Sequence, residues 1–309
     1  MMAFGLKHLF GLKGVSQEDI TTILDTAVSF REVLERPIRM VPSLRGVAVL
    51  NLFFEDSTRT RISFELAERR LSAEVVTFAK SASSVSKGES LRDTVRNIEA
   101  MKIDIIVTRH SSPGTPQFMA RHTGCRVINA GDGAHEHPTQ ALLDMMTMRD
   151  HFGSLEGLKV LIVGDIEHSR VARSDIWGLK TMGAQVDLCG PSTLFPVHMD
   201  AFDVNIHHDF DEVIGEYDVL YMLRIQRERQ SGGAIPSSRE YTATFGLTNE
   251  RLKRMKPDAA IMHPGPINRG VELDYHAADA PNSLILNQVT NGEAVRMAVL
   301  LLLSGRGEQ

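Results

Sequence analysis

Val47-Ala-Val-Leu-Asn-Leu-Phe53 is apolar but for Asn51, and it runs into the polar turn Glu55-Asp-Ser57-Thr58-Arg59-Thr60-Arg61. Residues 60–71 then carry a helical pattern, and Val75-Val-Thr-Phe78 begins a second apolar run. A near-continuous apolar strand, a crossover helix and another such strand make the unit of a parallel sheet covered on both faces. The same unit recurs along the chain. Further apolar runs lie at 103–108, 126–129, 159–164, 185–189, 219–223 and 259–262, with helical patterns at 90–101, 139–151, 174–182 and 250–255 between them. Four of the eight runs precede residue 150 and four follow it, and His151-Phe-Gly153-Ser-Leu-Glu-Gly157 reads as the break between them. The expected fold is therefore α/β, with two doubly wound parallel-sheet lobes, 1–150 and 151–289, and the active site in the cleft between them. A last helix over 292–304, within the segment 290–309, is expected to pack back on the first lobe.

Composition narrows the class. The chain has 309 residues, 34 Lys and Arg against 39 Asp and Glu, and a net charge of −5. A general nucleic-acid binder would carry a basic surplus, so none is expected. With 42% hydrophobic and 24% charged residues the chain is a folded domain protein, long enough to bury a core without staples. Cys125 and Cys189 are its two cysteines, which is no disulfide framework and fits a reducing cytoplasm. The longest apolar run, 298–303, is far short of the roughly 20 residues of a membrane span. Residues 4–12 are interrupted by Lys7, His8 and two glycines and lead to no small-residue cleavage site, so no secretory leader is expected.

Open α/β sheets bind ligands beyond the carboxyl ends of their strands, and six strand ends here deliver Arg, His, Gln, Ser and Thr. The first run is followed by Ser57, Thr58, Arg59 and Thr60, and 103–108 by Arg109-His110. The run 126–129 leads to His135-Glu-His137-Pro138-Thr139-Gln140, and 159–164 to Asp165, His168, Ser169 and Arg170. The run 219–223 leads to Arg224 and Gln226, and 259–262 to His263-Pro264-Gly265-Pro266. Ser57 or Thr58 caps a helix whose free N–H groups make an anion site, and Arg59 turns it into a phosphate cradle. A plain cap with surface arginines would explain that tetrapeptide alone; Arg109 from another strand end tips the reading to phosphate. Arg170, Arg224 and Gln226 suit carboxylates, because a guanidinium fork meets them in bidentate fashion.

Other chemistries lack their motifs. His135-Glu-His137 is no metal site by pattern, since there is no helical His-Glu-x-x-His and no cysteine cluster. His207-His208-Asp209 reads as a solvated loop. The strand at 159–164 resembles the start of a dinucleotide fold, but Gly-x-Gly-x-x-Gly, the P-loop and Gly-x-Ser-x-Gly are all absent, so no cofactor is expected. What remains is a phosphate-bearing carbonyl compound in the first lobe, a small carboxylate in the second, and direct group transfer driven by positioning and charge stabilisation.

Ser57-Thr-Arg-Thr-Arg61, Ser83-x-x-x-Lys87-Gly-Glu-Ser90, Arg109-His110, His137-Pro-Thr-Gln140, Arg224-x-Gln226 and His263-Pro-Gly-Pro266 together resemble the aspartate/ornithine carbamoyltransferase family, on the side of the aspartate carbamoyltransferase catalytic chains. They stand in the family's order over essentially the whole chain. Ser-Thr-Arg-Thr and His-Pro-Thr-Gln are shared with the ornithine enzymes. Those usually carry His-Cys-Leu-Pro and a Ser-Met-Gly loop, and this chain has neither, while Arg224-x-Gln226 fits a dicarboxylate acceptor.

The resemblance implies transfer of the carbamoyl group of carbamoyl phosphate to L-aspartate, giving N-carbamoyl-L-aspartate and phosphate, an early step of pyrimidine synthesis. It assigns the phosphate to Ser57, Thr58, Arg59, Thr60 and Arg109, and the leaving oxygen to Arg59. The carbonyl oxygen goes to Thr60, Arg109 and His137, and the carbamoyl NH2 to Gln140 and the Pro264 carbonyl beside Gly265. The aspartate carboxylates fall to Arg170, Arg224 and Gln226. Ser83 and Lys87 enter from a neighbouring subunit of a homotrimer, with Lys87 serving aspartate and catalysis. The family pattern leaves room for a regulatory chain or a dihydroorotase partner, and involves no membrane or nucleic acid. Gly265, where some members have Leu, and Val171, where some have Thr, depart from the pattern. The competing readings are a carbamoyltransferase for another amino acid such as ornithine, a catalytically silent assembly subunit, and an NAD-dependent oxidoreductase.

Overall fold

A computed structural model describes residues 4–78, 89–226 and 235–306. They divide into two compact units, Met1–Met146 with Thr290–Gln309, and Thr147–Val289. In chain order the first contains α1 (Gln17–Leu34), β1 (Ala48–Phe53), α2 (Thr58–Arg70), β2 (Glu74–Phe78), α3 (Leu91–Ala100), β3 (Ile105–His110), α4 (Thr115–Ala120), β4 (Arg126–Asp132) and the start of α5 (Pro138–Phe152). The second contains β5 (Lys159–Val163), α6 (Arg170–Thr181), β6 (Gln185–Cys189), β7 (Ile206–His207), α7 (Phe210–Val213), β8 (Val219–Met222), α8 (Ser238–Phe245), α9 (Asn249–Leu252), β9 (Ala260–Met262), α10 (Tyr275–Ala278) and the start of α11 (Ile285–Leu303). The dividing lines fall inside α5 and α11.

Both sheets are parallel throughout, as the apolar runs require. The first has the order β2-β1-β3-β4 and the second β7-β6-β5-β8-β9. Central strands β1, β3, β5 and β8 are buried almost end to end, whereas edge strand β2 is largely exposed. Leu50, Leu52, Ile106 and Val127 from the first sheet meet Val95 and Ile98 of α3 and Met119 of α4 in one core. In the second unit Leu161, Val163, Leu220, Met222 and Ile261 pack with Phe210, Tyr217, Tyr241 and Phe245. The outer edge of β4 is covered by the N-terminal segment: Leu9 N donates to Val127 O at 3.0 Å, and Asn129 N donates to Leu9 O at 2.8 Å. That pairing removes an open edge from the sheet.

The last turns of α11 lie in the first unit. Arg70 pairs with Glu293 at 2.6 Å, the Arg296 guanidinium sits 5.2 Å from the centre of the Phe64 ring, and Arg306 Nη1 donates to Arg45 O at 2.6 Å.

All eight expected runs are strands; 185–189 coincides with β6, and the other seven differ from their strands at one end or both. Helices α4, α7, α8 and α10 lie outside the expected patterns, as do α1 and β7. Helix α1 was not anticipated, although Ser16 caps it by accepting from Asp19 N at 3.0 Å and Ile20, Ile23, Leu24, Ala27 and Phe30 are buried at helical spacing. Residues 206–207 form the ninth strand, so His207 is no solvated loop residue. Its ring approaches the Tyr217 hydroxyl at 3.1 Å, the same hydroxyl donates to Asp187 at 2.7 Å, and Asp209 caps α7.

Candidate functional site

Strand order locates the ligand sites before any side chain is considered. In the first sheet β1 lies between β2 and β3, so the chain leaves it in opposite directions on its two sides, and the switch point is the gap between β1 and β3. In the second sheet the corresponding gap lies between β5 and β8. Crevices at such points are where doubly wound sheets bind ligands.

At the first switch point Phe53 stands opposite Arg109, and Phe54 N donates to Arg109 O at 2.9 Å. Ser57 occupies the N-cap of α2 in extended conformation, and its hydroxyl makes no capping bond. The first-turn N–H groups and that hydroxyl thus sit at the positive end of a 13-residue helix. Thr58 and Arg59 are exposed and Thr60 is buried. Arg109 Nη2 donates to Glu55 Oε1 at 2.8 Å, and the two side chains are largely sheltered. Glu55 was not singled out from the sequence; its signal is an acidic residue two positions beyond a strand end. The pair fixes the guanidinium on the β1 side of β3.

His137 and Gln140, from the end of β4, are both buried. His137 directly precedes α5, and Gln140 Nε2 donates to Asp144 one turn further on, at 3.1 and 3.3 Å. The intervening loop is held by carboxylates. Asp132 accepts from Gly114 N and Glu136 N, and contacts the His135 ring, while Glu136 accepts from Leu12 N at 2.6 Å.

At the second switch point Val163 stands opposite Met222. Gly164 ends β5 with φ +129, and a Cβ there would meet the Tyr241 hydroxyl at 2.9 Å and Leu223 O at 3.2 Å. Glycine alone permits both the backbone angle and the approach. Asp165, fully buried, accepts from His168 N at 3.2 Å and Gln226 N at 3.4 Å, and lies 2.8 Å from His168 Nδ1. Gln226 Nε2 donates to His168 O at 3.0 Å. The β5 and β8 loops are therefore tied together, with Arg170 buried at the start of α6 and Arg224 half-buried. Among the strand-end residues, Asp165 and His168 tie the β5 and β8 loops to each other.

The β9 loop is also held from within. His263 lies 3.2 Å from Glu272, both side chains are fully buried, and Gly265 N donates to His263 Nδ1 at 2.8 Å. Gly265 has φ +64, and its bond to Pro266 is cis. Pro264 and Gly265 are half-buried. Ser83 and Lys87 lie outside the described residues. Among the described residues no group of three or more His, Cys, Asp or Glu is placed to hold a metal ion.

Two parallel sheets, with Arg109 at the switch point of the first and Arg170, Arg224 and Gln226 following the strands at that of the second, define a two-domain α/β class without a glycine-rich nucleotide loop. Family models give the particular family. Residues 7–150 match the aspartate/ornithine carbamoyltransferase carbamoyl-P binding domain, and residues 156–303 match the Asp/Orn binding domain of the same family. The chain belongs to the aspartate/ornithine carbamoyltransferase family. It is 55% identical over 304 residues to the aspartate carbamoyltransferase catalytic subunit of Syntrophotalea carbinolica, covering 98% of this chain and 97% of that one. It is 56% identical over 302 residues to the corresponding subunit of Syntrophobacter fumaroxidans, covering 98% and 99%. The crystal structure of aspartate transcarbamoylase from Trypanosoma cruzi in complex with carbamoyl phosphate superposes with a TM-score of 0.87 at 31% identity, covering 96% of each chain.

Proposed function

We propose that the chain is a carbamoyltransferase that joins the carbamoyl group of carbamoyl phosphate to the amine of L-aspartate, for pyrimidine synthesis. The observation that carries this reading is the pairing at the first switch point. The α2 N-terminus, with a Ser57 hydroxyl that makes no cap bond, stands beside Arg109 on the neighbouring strand. Ser57, Thr58, Arg59, Thr60 and Arg109 bind the phosphate. Thr60, Arg109 and His137 face the carbonyl oxygen, and Gln140 and the Pro264 carbonyl hold the NH2. Arg170, Arg224 and Gln226 receive the two carboxylates of aspartate. The first unit serves carbamoyl phosphate and the second aspartate.

In the reaction the neutral amine attacks the carbonyl carbon. The carbonyl oxygen takes up negative charge, the carbon–oxygen bond to phosphate breaks, and the amine proton passes to the departing phosphate. Donors set for the developing oxyanion lower this barrier without a separate base.

The working unit is a homotrimer in which Ser83 and Lys87 of one chain complete the site of the next. Exposed apolar residues support an assembly surface on the first unit: Ile62 and Leu66 one turn apart on α2, Val76 on edge strand β2, and Ile38 and Met40 just before the segment tied to α2 through Val41 N and Arg70 O. The compartment is the cytoplasm, which suits two buried free thiols, and no helix among the described residues is long and apolar enough to cross a membrane. An acceptor screen with carbamoyl phosphate tests the function: L-aspartate should yield N-carbamoyl-L-aspartate, and turnover with L-ornithine but not L-aspartate would overturn it.

A further inference from the structure

We propose that Asp144 is a positioning residue that decides which end of the Gln140 amide faces the carbamoyl group. This rests on reading the first unit as the carbamoyl phosphate site. Gln140 and Asp144 lie one turn apart on α5, and both oxygens of the carboxylate lie within reach of the Gln140 Nε2, at 3.1 and 3.3 Å. On a helix surface such a pair would be an ordinary local contact. Here it is buried, and Asp144 is fully so.

Burying a lone carboxylate is costly, and the Arg296 cation of α11 lies close enough to Asp144 for the two charges to interact. The Arg296 side chain is buried; its Nη1 donates to Gly292 O at 2.7 Å and its guanidinium lies over the Phe64 ring. Burial lowers its pKa to about 10, and the charges of Asp144 and Glu293 oppose that fall. Arg296 therefore remains a cation at neutral pH, and Glu293 is tied in turn to Arg70 at 2.6 Å.

An ionised carboxylate only accepts hydrogen bonds. Gln140 must then turn its NH2 toward Asp144 and leave its carbonyl Oε1 for something else; Oε1 accepts no hydrogen bond from the described residues. The carbamoyl NH2 only donates. An amide held the other way round would set donor against donor. Asp144, as a carboxylate, thus converts a side chain with two interchangeable ends into a fixed acceptor, and the nearby Arg296 cation complements its charge.

Acetyl phosphate separates this role from a structural one, because it has a methyl group where carbamoyl phosphate has NH2. Removing one member of a buried ion pair is strongly destabilising, whereas replacing both with apolar groups is often tolerated. The variant of choice is therefore Asp144→Leu/Arg296→Met, with Asp144→Val/Arg296→Leu as the alternative if the first double variant is not recovered folded. Calorimetry on the intact protein would read three affinities: inorganic phosphate, acetyl phosphate and carbamoyl phosphate. The preference for carbamoyl over acetyl phosphate should fall roughly tenfold, as for one lost hydrogen bond, with phosphate affinity within about twofold of the parent. An unchanged preference in a folded variant would overturn the proposal. So would a parallel loss of all three ligands, which would mark Asp144 as merely structural. If the parent protein binds neither phosphate nor carbamoyl phosphate, the reading of the site fails first and the proposal goes with it.

Discussion

The side-chain amide of Asn51 donates to Glu68 Oε2 at 2.6 Å, joining β1 to α2, and both residues are fully buried. Burial raises the Glu68 pKa from 4.5 to about 8, with the Asn51 hydrogen bond opposing the rise. The folded chain therefore keeps a proton that the unfolded chain has lost. The stability from this group is complete below pH 4.5 and is lost as pH rises through about 8, at roughly 1.4 kcal/mol per pH unit while the two states differ in protonation. Glu68→Gln keeps the shape and the acceptor and removes the titration. Urea denaturation from pH 5 to 8 should give a flatter stability profile for the variant, and parallel profiles would contradict the buried neutral carboxyl.

Arg59 stands in the first turn of α2, exposed and beside the Ser57 cap. Arg59→Ala should leave the fold intact and cut kcat by roughly 10²-fold or more, since it removes a charged donor whose contact strengthens in the transition state. Steady-state kinetics on a variant with native circular dichroism checks this; near-normal kcat would remove Arg59 from the reaction.

Arg224 follows β8, in the other unit. Arg224→Ala should raise KM for aspartate while carbamoyl phosphate affinity stays close to the parent value. The lost charge-assisted contact is worth on the order of 1.5–3 kcal/mol. Equal loss of both ligands by calorimetry would refute the division of labour between the units.

Lys87→Ala and Arg59→Ala should each be almost inactive alone. Unfolded together and reassembled, they should regain activity at on the order of a quarter of the sites, because a head-to-tail ring forms some sites from one intact Arg59 and one intact Lys87. Mixed oligomers as inactive as the parents would show that Lys87 does not serve a neighbour.

Gly265 has φ +64, where a Cβ costs about 1–2 kcal/mol. Gly265→Leu should lower stability by about that amount, read as a reduced urea midpoint, and should shift KM for carbamoyl phosphate more than KM for aspartate. Unchanged stability and kinetics would mean that the loop tolerates the side chain and that its backbone is not strained there.

The strands, their parallel pairing and the clustering of Arg, His, Gln, Ser and Thr at strand ends are legible in the residues alone. Those features are local. A seven-residue apolar run such as 47–53, alternating with helical patterns, reads as a strand buried on both faces, and the polar residues that follow emerge where the sheet ends. The motifs around Ser57, Arg109, His137 and Arg224 were legible for the same reason, each being a short contiguous signal. The partners of these residues come from the folded chain. Glu55 meets Arg109 across two strands, Asp165 ties the β5 loop to Gln226, and Arg296 reaches the neighbourhood of Asp144 from the far end of the chain. Helix α1 and the two-residue β7 were missed because one lies outside the strand alternation and the other is too short for a periodic signal. Which carboxylate lies beside which cation depends on strand order and helix docking. Neither is written in the spacing of residues far apart in sequence, so the supports of the site become visible only once the chain has folded.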